Sequence, residues 1–104
     1  MDQLHSDIKF ITDYADNGEI YIVPSEEATD QIKKDYGILV YSGLITKYQG
    51  KYLLIMIFCS KGIATKETIN LDDHQVKGII KNILLCGDEI RGPLGLLLEP
   101  FSLL

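Results

Sequence analysis

The sequence predicts an α+β fold: a single domain, residues 1–104, with a mainly antiparallel sheet of four or five strands and about three helices packed on it. Residues 37–59 contain two β-rich runs joined by Gln49-Gly50, which is typical of a hairpin in a buried sheet. Other segments repeat apolar residues at helical spacing. The predicted order, α-β-α-β-β-β-α-β, places three strands in succession and so favours antiparallel pairing with the helices on one face.

The N-terminal third is predicted to form a helix, a short strand and a second helix. Residues 2 to about 16 repeat apolar side chains every three or four positions, as an amphipathic helix does. Residues 19–23 form a short strand that Pro24 ends. Ser25 resembles a helix N-cap, and the helix that it begins runs to about Gly37.

The middle of the chain is predicted to be β-rich. Residues 38–42 and 44–48 are expected to be strands, with Gly43 as a bulge or a turn between them. In residues 51–59, Leu53, Ile55 and Ile57 alternate with Tyr52, Leu54, Met56 and Phe58, so both faces of the segment are apolar. We therefore expect them to form a central strand whose two faces are covered by helices or by a second layer.

The remaining residues are predicted to form an edge strand, a helix and an apolar end. Residues 63–71 carry charged residues in mid-run, which is typical of an edge strand, and residues 72–86 carry the clearest helical stripe, with Asn70 or Asp72 as its N-cap. Residues 88–104 are rich in large apolar side chains but broken by glycine and proline, and form either an apolar tail or the last strand.

The charge of the chain is unevenly distributed. Of the net charge of −5, residues 1–30 contribute eight acids and one base, whereas residues 31–104 carry seven acids and nine bases. This balance argues against a polyanion-binding protein of the usual basic kind. It suits either a solvated acidic face or attraction to a basic protein surface.

The N-terminus and the thiols indicate a cytoplasmic protein without a membrane segment. Acidic residues stand where a signal peptide would be positively charged, and no apolar run approaches the roughly 18 residues that span a bilayer. Cys59 and Cys86 lie in apolar segments without metal-ligand neighbours, so we expect both to be buried and reduced.

We predict no catalytic residue, no metal site and no cofactor. His5 and His74 each lie near the start of a helix beside acids, as surface histidines do. Asp72 and Asp73 next to His74 are explained by helix capping, because adjacent residues at a helix start cannot all face one metal ion. An enzyme built from dispersed residues is the least favoured alternative.

A short run resembles part of a DNA-binding family. Residues 43–54, GLITKYQGKYLL, are similar to the end of the recognition helix and the wing hairpin of winged-helix DNA-binding domains, where a "GLI" turn precedes a two-stranded wing. The resemblance implies a winged-helix-like fold and a regulator that binds DNA. Its DNA contacts would be Lys33, Lys34, Lys47 and Lys51.

The favoured hypothesis is a small acidic non-enzymatic protein-binding module of the inhibitor, immunity or adaptor type. It would act by stoichiometric contact with another protein, with a nucleic-acid-binding protein or a second copy of the chain among the candidate partners. The predicted partner contacts are Asp13, Asp16, Glu26, Glu27, Asp30, Leu96, Leu98 and Phe101.

Overall fold

The computed structural model describes residues 2–60 and 63–92, with three helices and five strands. They are α1 (Asp2–Asn17), β1 (Glu19–Val23), α2 (Glu26–Tyr36), β2 (Gly43–Tyr48), β3 (Lys51–Ser60), β4 (Ile63–Leu71), α3 (Asp73–Leu85) and β5 (Glu89–Arg91). This order is the predicted one, and the α+β class is confirmed. Residues 93–104, which include the predicted contacts Leu96, Leu98 and Phe101, lie outside the described residues.

The five strands form one antiparallel sheet in the order β4-β3-β2-β1-β5. Strands β2, β3 and β4 follow one another as hairpins, and β1 lies between β2 and the short strand β5. Strand β2 lies in the middle of the sheet, and β3 is internal, between β2 and β4, as expected for a central strand. Among the described strands, β4 lies at one edge of the sheet, as predicted, and β5, the last of them along the chain, lies at the other edge.

The β2–β3 hairpin closes through the predicted turn. Tyr48 pairs with Lys51, so the loop is only Gln49-Gly50, and these residues have φ values of 51° and 77°. Two consecutive positive φ values give a turn whose twist matches that of the flanking strands. Glycine adopts this conformation at no steric cost, whereas Gln49 adopts it against its preference.

The predicted strand at residues 38–42 is wrong, because this segment is a loop and β2 begins at Gly43. Ile38 and Val40 are nevertheless buried in the core. The hydroxyl of Thr29 donates a 2.8 Å hydrogen bond to the carbonyl of Val40. A side chain of α2 therefore satisfies a backbone group that a neighbouring strand would otherwise bond. The alternating apolar pattern reflects burial of this loop.

The helix ends agree with the sequence prediction. The Ser25 hydroxyl accepts a hydrogen bond from the backbone N–H of Ala28, and Gly37 ends α2 in the left-handed conformation. At the start of α3, the Asp72 side chain accepts from the Gln75 N–H while the Gln75 side chain accepts from the Asp72 N–H. This reciprocal capping box fixes where α3 begins, next to the end of β4.

The hydrophobic core lies between the sheet and the three helices. Ile20 and Ile22 of β1, Ile45 of β2 and Leu54 of β3 are fully buried on the helix side of the sheet. Helix α3 packs against both α1 and α2, and so lies between them. Within residues 2–60 and 63–92, no helix is both long and apolar enough to cross a membrane.

Candidate binding surfaces

The face of the sheet that points away from the helices carries an apolar patch, which we call the open-face patch. Tyr21 and Val23 of β1 are 44% and 48% exposed, and Leu44, Leu53 and Ile55 of the next two strands are half-buried. The register sets Tyr21 opposite Leu44 and Leu44 opposite Ile55, so these side chains form a row across three strands. No described helix or strand covers this face. The expected cover of residues 51–59 is present on the helix side of β3, whereas on this face no described helix or strand supplies it and Leu53 and Ile55 are half-buried.

Polar side chains border the open-face patch. Arg91 of β5 pairs in register with Tyr21, and its guanidinium forms an ion pair with Glu89 two residues earlier. On the other side, Tyr48 and Lys51 are exposed where the β2–β3 hairpin turns. The patch thus has an apolar centre and a mixed polar border, which is the usual anatomy of a protein interface.

The predicted contact residue Asp16 is held by other residues of the same chain. Its carboxylate accepts a 2.8 Å hydrogen bond from the Tyr52 hydroxyl and lies 3.0 Å from the Lys47 ammonium group. The hydrogen bond from Tyr52, followed by that from Lys47, lowers the pKa of Asp16. Burial, followed by the contact with Asp16, raises the pKa of Tyr52. Asp16 and Lys47, taken from two competing hypotheses, therefore pair with each other.

The other predicted acidic contacts fall on two separate helices. On α1, Asp13 forms an exposed 2.7 Å ion pair with Lys9. On α2, Glu26, Glu27 and Asp30 are exposed in the first turns. Because α3 lies between α1 and α2, the structure does not gather these carboxylates into one patch.

The lysines of the DNA-binding alternative are also spread out. Lys33 and Lys34 are exposed at the end of α2, Lys51 is exposed at the hairpin turn, and Lys47 lies 5.1 Å from the centre of the Tyr52 ring. The hairpin implied by the winged-helix resemblance is present, but it lies inside a five-stranded sheet and follows a loop at residues 37–42. DNA binding by these lysines stays a prediction.

A groove of about 590 Å³ is lined mainly by residues of α1 and α3, and we call it the α1–α3 groove. It is lined by His5, Ile8, Lys9, Thr12, Asp13, Tyr36, His74, Lys77, Gly78 and Lys81. Three ammonium groups and two imidazoles thus face one carboxylate, in a chain whose net charge is −5. This groove was not predicted from the sequence, because it depends on which helices are neighbours. Its sequence signal was a basic or imidazole side chain on successive turns of α1 and of α3.

The Tyr36 ring closes one wall of the α1–α3 groove. Its hydroxyl lies against the backbone of Gly78, in space that any other residue would fill with its Cβ. Its ring meets the His74 ring edge-on, with 6.2 Å between ring centres. Burial, followed by the charges of Asp35 and Asp72, raises the pKa of Tyr36, so the hydroxyl stays protonated at neutral pH.

The Cys86 thiol is free and half-buried at the end of α3, whereas the side chain of Cys59 lies outside the described part. Burial, followed by the charges of Glu27 and Asp88, raises the pKa of Cys86. A thiol in this setting is a poor nucleophile near neutral pH. Among the described residues, no three potential metal ligands of the His, Cys, Asp and Glu types come together.

Comparison with known proteins found no matching family model, no similar curated protein and no similar solved structure. The class of protein is therefore defined by the architecture: a small α+β domain with three helices on one face of a five-stranded antiparallel sheet.

Proposed function

We propose that this chain is a small non-enzymatic module that binds another protein stoichiometrically through the open-face patch. The observation that carries the proposal is the row Tyr21, Leu44 and Ile55, flanked by Val23 and Leu53, on a sheet face that no described element covers. Contiguous exposed apolar surface of this kind usually marks an interaction site, since each buried Å² contributes about 25 cal/mol.

The residue types in and around the open-face patch support a protein partner. Tyrosine and arginine are the side chains in which binding energy most often concentrates. Tyr21 and Arg91 lie side by side on neighbouring strands, next to the apolar row. A rigid sheet also presents these side chains with little loss of conformational entropy on binding.

The charge of the chain favours a basic partner. Residues 1–30 carry eight of the fifteen acids and only one of the ten bases. Such a field accelerates association with a positively charged protein and makes the rate depend on salt. Glu26, Glu27 and Asp30 contribute to this field from exposed positions on α2. A cytoplasmic setting belongs to the same proposal, and the free thiol of Cys86 is consistent with it.

The proposal is tested with two matched double variants. Tyr21→Ser with Val23→Ser removes the exposed centre of the open-face patch. Tyr41→Ser with Leu85→Ser removes two apolar side chains that are 57% and 62% exposed elsewhere on the surface. Each tagged protein is used to capture partners from nuclease-treated lysate of the native host, after circular dichroism has shown that the variants are folded.

A single stoichiometric protein retained by the wild type and by the Tyr41/Leu85 variant, but lost by the Tyr21/Val23 variant, is the expected result. The proposal is wrong if the Tyr21/Val23 variant retains the same partner, or if both variants lose it equally. Analytical ultracentrifugation of the purified wild type tests whether the partner is a second copy of this chain. A stable dimer that the Tyr21/Val23 substitutions dissociate would make the partner another copy of this chain. Partners that vanish with nuclease would favour the DNA-binding alternative.

A further inference from the structure

We infer that the α1–α3 groove is a binding site for a small organic phosphate that carries a flat ring. The inference does not depend on the open-face patch, which lies on the opposite side of the sheet. It rests on the size of the groove, on the charges that line it and on the aromatic wall at Tyr36.

The size of the α1–α3 groove suits a small molecule. Its volume of about 590 Å³ lies within the roughly 300–1,000 Å³ of typical ligand sites. Most of the lining comes from the two packed helices α1 and α3, and Tyr36 of α2 completes it. His5, Lys9 and Thr12 lie on successive turns of α1, and His74 and Lys77 do so on α3. A site on helices holds its side chains in more fixed positions than a site on loops.

The charged side chains that line the α1–α3 groove favour the binding of an anion. Lys77 and Lys81 are one helical turn apart, a spacing at which like charges repel each other. Neither forms an ion pair with any residue in the described ranges, whereas Lys9 is paired with Asp13. Among the lining side chains, three ammonium groups against one carboxylate leave two positive charges, similar in size to the charge of −1.5 to −2 on a phosphate monoester at neutral pH. Asp35 and Asp72, whose charges act on Tyr36, lie outside this lining.

The aromatic wall accounts for the ring of the proposed ligand. Tyr36 and His74 are in edge contact in the α1–α3 groove, and Ile8 adds an apolar side chain to its lining. An aromatic ligand gains from offset or edge contact with such rings. The phosphate would then lie near Lys77 and Lys81, with the ring against Tyr36.

The first test is an NMR and calorimetric titration of the protein with phenyl phosphate, inorganic phosphate and the neutral benzyl alcohol. Phenyl phosphate should bind saturably and shift the backbone amides of residues 74–81, while benzyl alcohol should not bind. Lys77→Gln with Lys81→Gln should weaken phenyl phosphate at least about tenfold, since two charge-assisted contacts are lost. The control Lys33→Gln with Lys34→Gln changes the net charge equally but lies outside the groove.

Absence of saturable phenyl phosphate binding to the wild type would overturn the inference. So would an equal loss in the two lysine variants, because the effect would then follow net charge alone. The Tyr36→Leu variant tests the contribution of the ligand ring separately from that of the phosphate. We expect it to weaken the binding of phenyl phosphate but to leave the affinity for inorganic phosphate within about twofold of the wild type. Equal affinity of the wild type and Tyr36→Leu for phenyl phosphate would contradict the aromatic wall.

Discussion

The Tyr52 hydroxyl donates a 2.8 Å hydrogen bond to Oδ1 of Asp16, which joins strand β3 to the last turns of helix α1. The Lys47 ammonium group lies 3.0 Å from the same oxygen. Asp16 thus accepts hydrogen bonds from one neutral and one charged donor of the β2–β3 hairpin. The contact fixes α1 over the sheet from a position at the edge of the core.

Replacement of Tyr52 by phenylalanine should destabilise the fold in a pH-dependent way. We expect a loss of about 1 kcal/mol at neutral pH, the usual net value of one hydrogen bond, because the Asp16 side chain is still 38% exposed. The folded-state pKa of Asp16 is lowered, so its contribution is complete above the unfolded pKa of about 4 and is lost as the pH falls through the folded pKa.

Urea unfolding of the wild type and Tyr52→Phe at neutral and increasingly acidic pH measures this dependence. The difference in the free energy of unfolding should shrink below about pH 4. Tyr48→Phe serves as the control, since this tyrosine is exposed on the neighbouring strand. A difference that stays constant with pH would show that the Asp16 carboxylate is not the partner that matters.

Replacement of Gly78 by alanine should destabilise the protein, against the usual trend. Alanine in place of a mid-helix glycine normally stabilises by about 1 kcal/mol. Here the new Cβ would overlap the Tyr36 hydroxyl and ring carbons, so Tyr36 must move. We expect a net loss of about 1–2 kcal/mol, measured by thermal or urea unfolding.

The same clash predicts a rescue. In a Tyr36→Leu background the overlapping atoms are gone, so Gly78→Ala should regain its normal stabilising sign. A double-mutant cycle of the two substitutions measures this coupling. If Gly78→Ala has the same effect in both backgrounds, the glycine is not required by Tyr36.

Replacement of Thr29 by valine should cost about 1–2 kcal/mol, because the buried carbonyl of Val40 loses its donor while the shape of the side chain is kept. Thr68→Val, at an exposed position of β4, is the matched control and should change the free energy of unfolding by less than about 0.5 kcal/mol. Equal effects would mean that the loop at residues 38–42 does not depend on this bond.

Replacement of Gln49 by asparagine should stabilise the β2–β3 hairpin. Asparagine tolerates the positive φ of 51° at this position better than glutamine, so we expect a gain of about 0.5 kcal/mol. Gly50→Ala, at a φ of 77°, should instead lose about 1 kcal/mol. The denaturant midpoints of the wild type and the two variants rank the three proteins by stability. A Gln49→Asn variant that is less stable than the wild type would show that the Gln49 side chain contributes more than the turn preference.

The sequence was informative where structure is decided locally. The turn at Gln49-Gly50 and the caps Ser25 and Gly37 each depend on a few adjacent residues and were predicted, and Asp72 was one of the two predicted caps of α3. The failure at residues 38–42 has a tertiary cause. The partner of the Val40 carbonyl lies eleven residues earlier, and no local pattern distinguishes a buried loop from a strand.

The candidate surfaces were harder to predict, because they depend on which elements become neighbours. The pairing of Asp16 with Lys47 joins a helix to a strand that other elements separate along the chain. The α1–α3 groove likewise combines residues near His5 with residues near His74. The placement of the helices on one face of the sheet was predicted, but the sequence did not reveal that the other face of β3 would form part of the open-face patch.

The position of β1 in the sheet has a consequence for how the chain reaches this fold. Strands β2, β3 and β4 pair with their neighbours in sequence and can assemble early, as a meander. Strand β1 precedes them, yet its second partner is β5, about seventy residues later. During synthesis on the ribosome, residues 19–23 must therefore wait, with one edge unpaired, until residues 89–91 emerge.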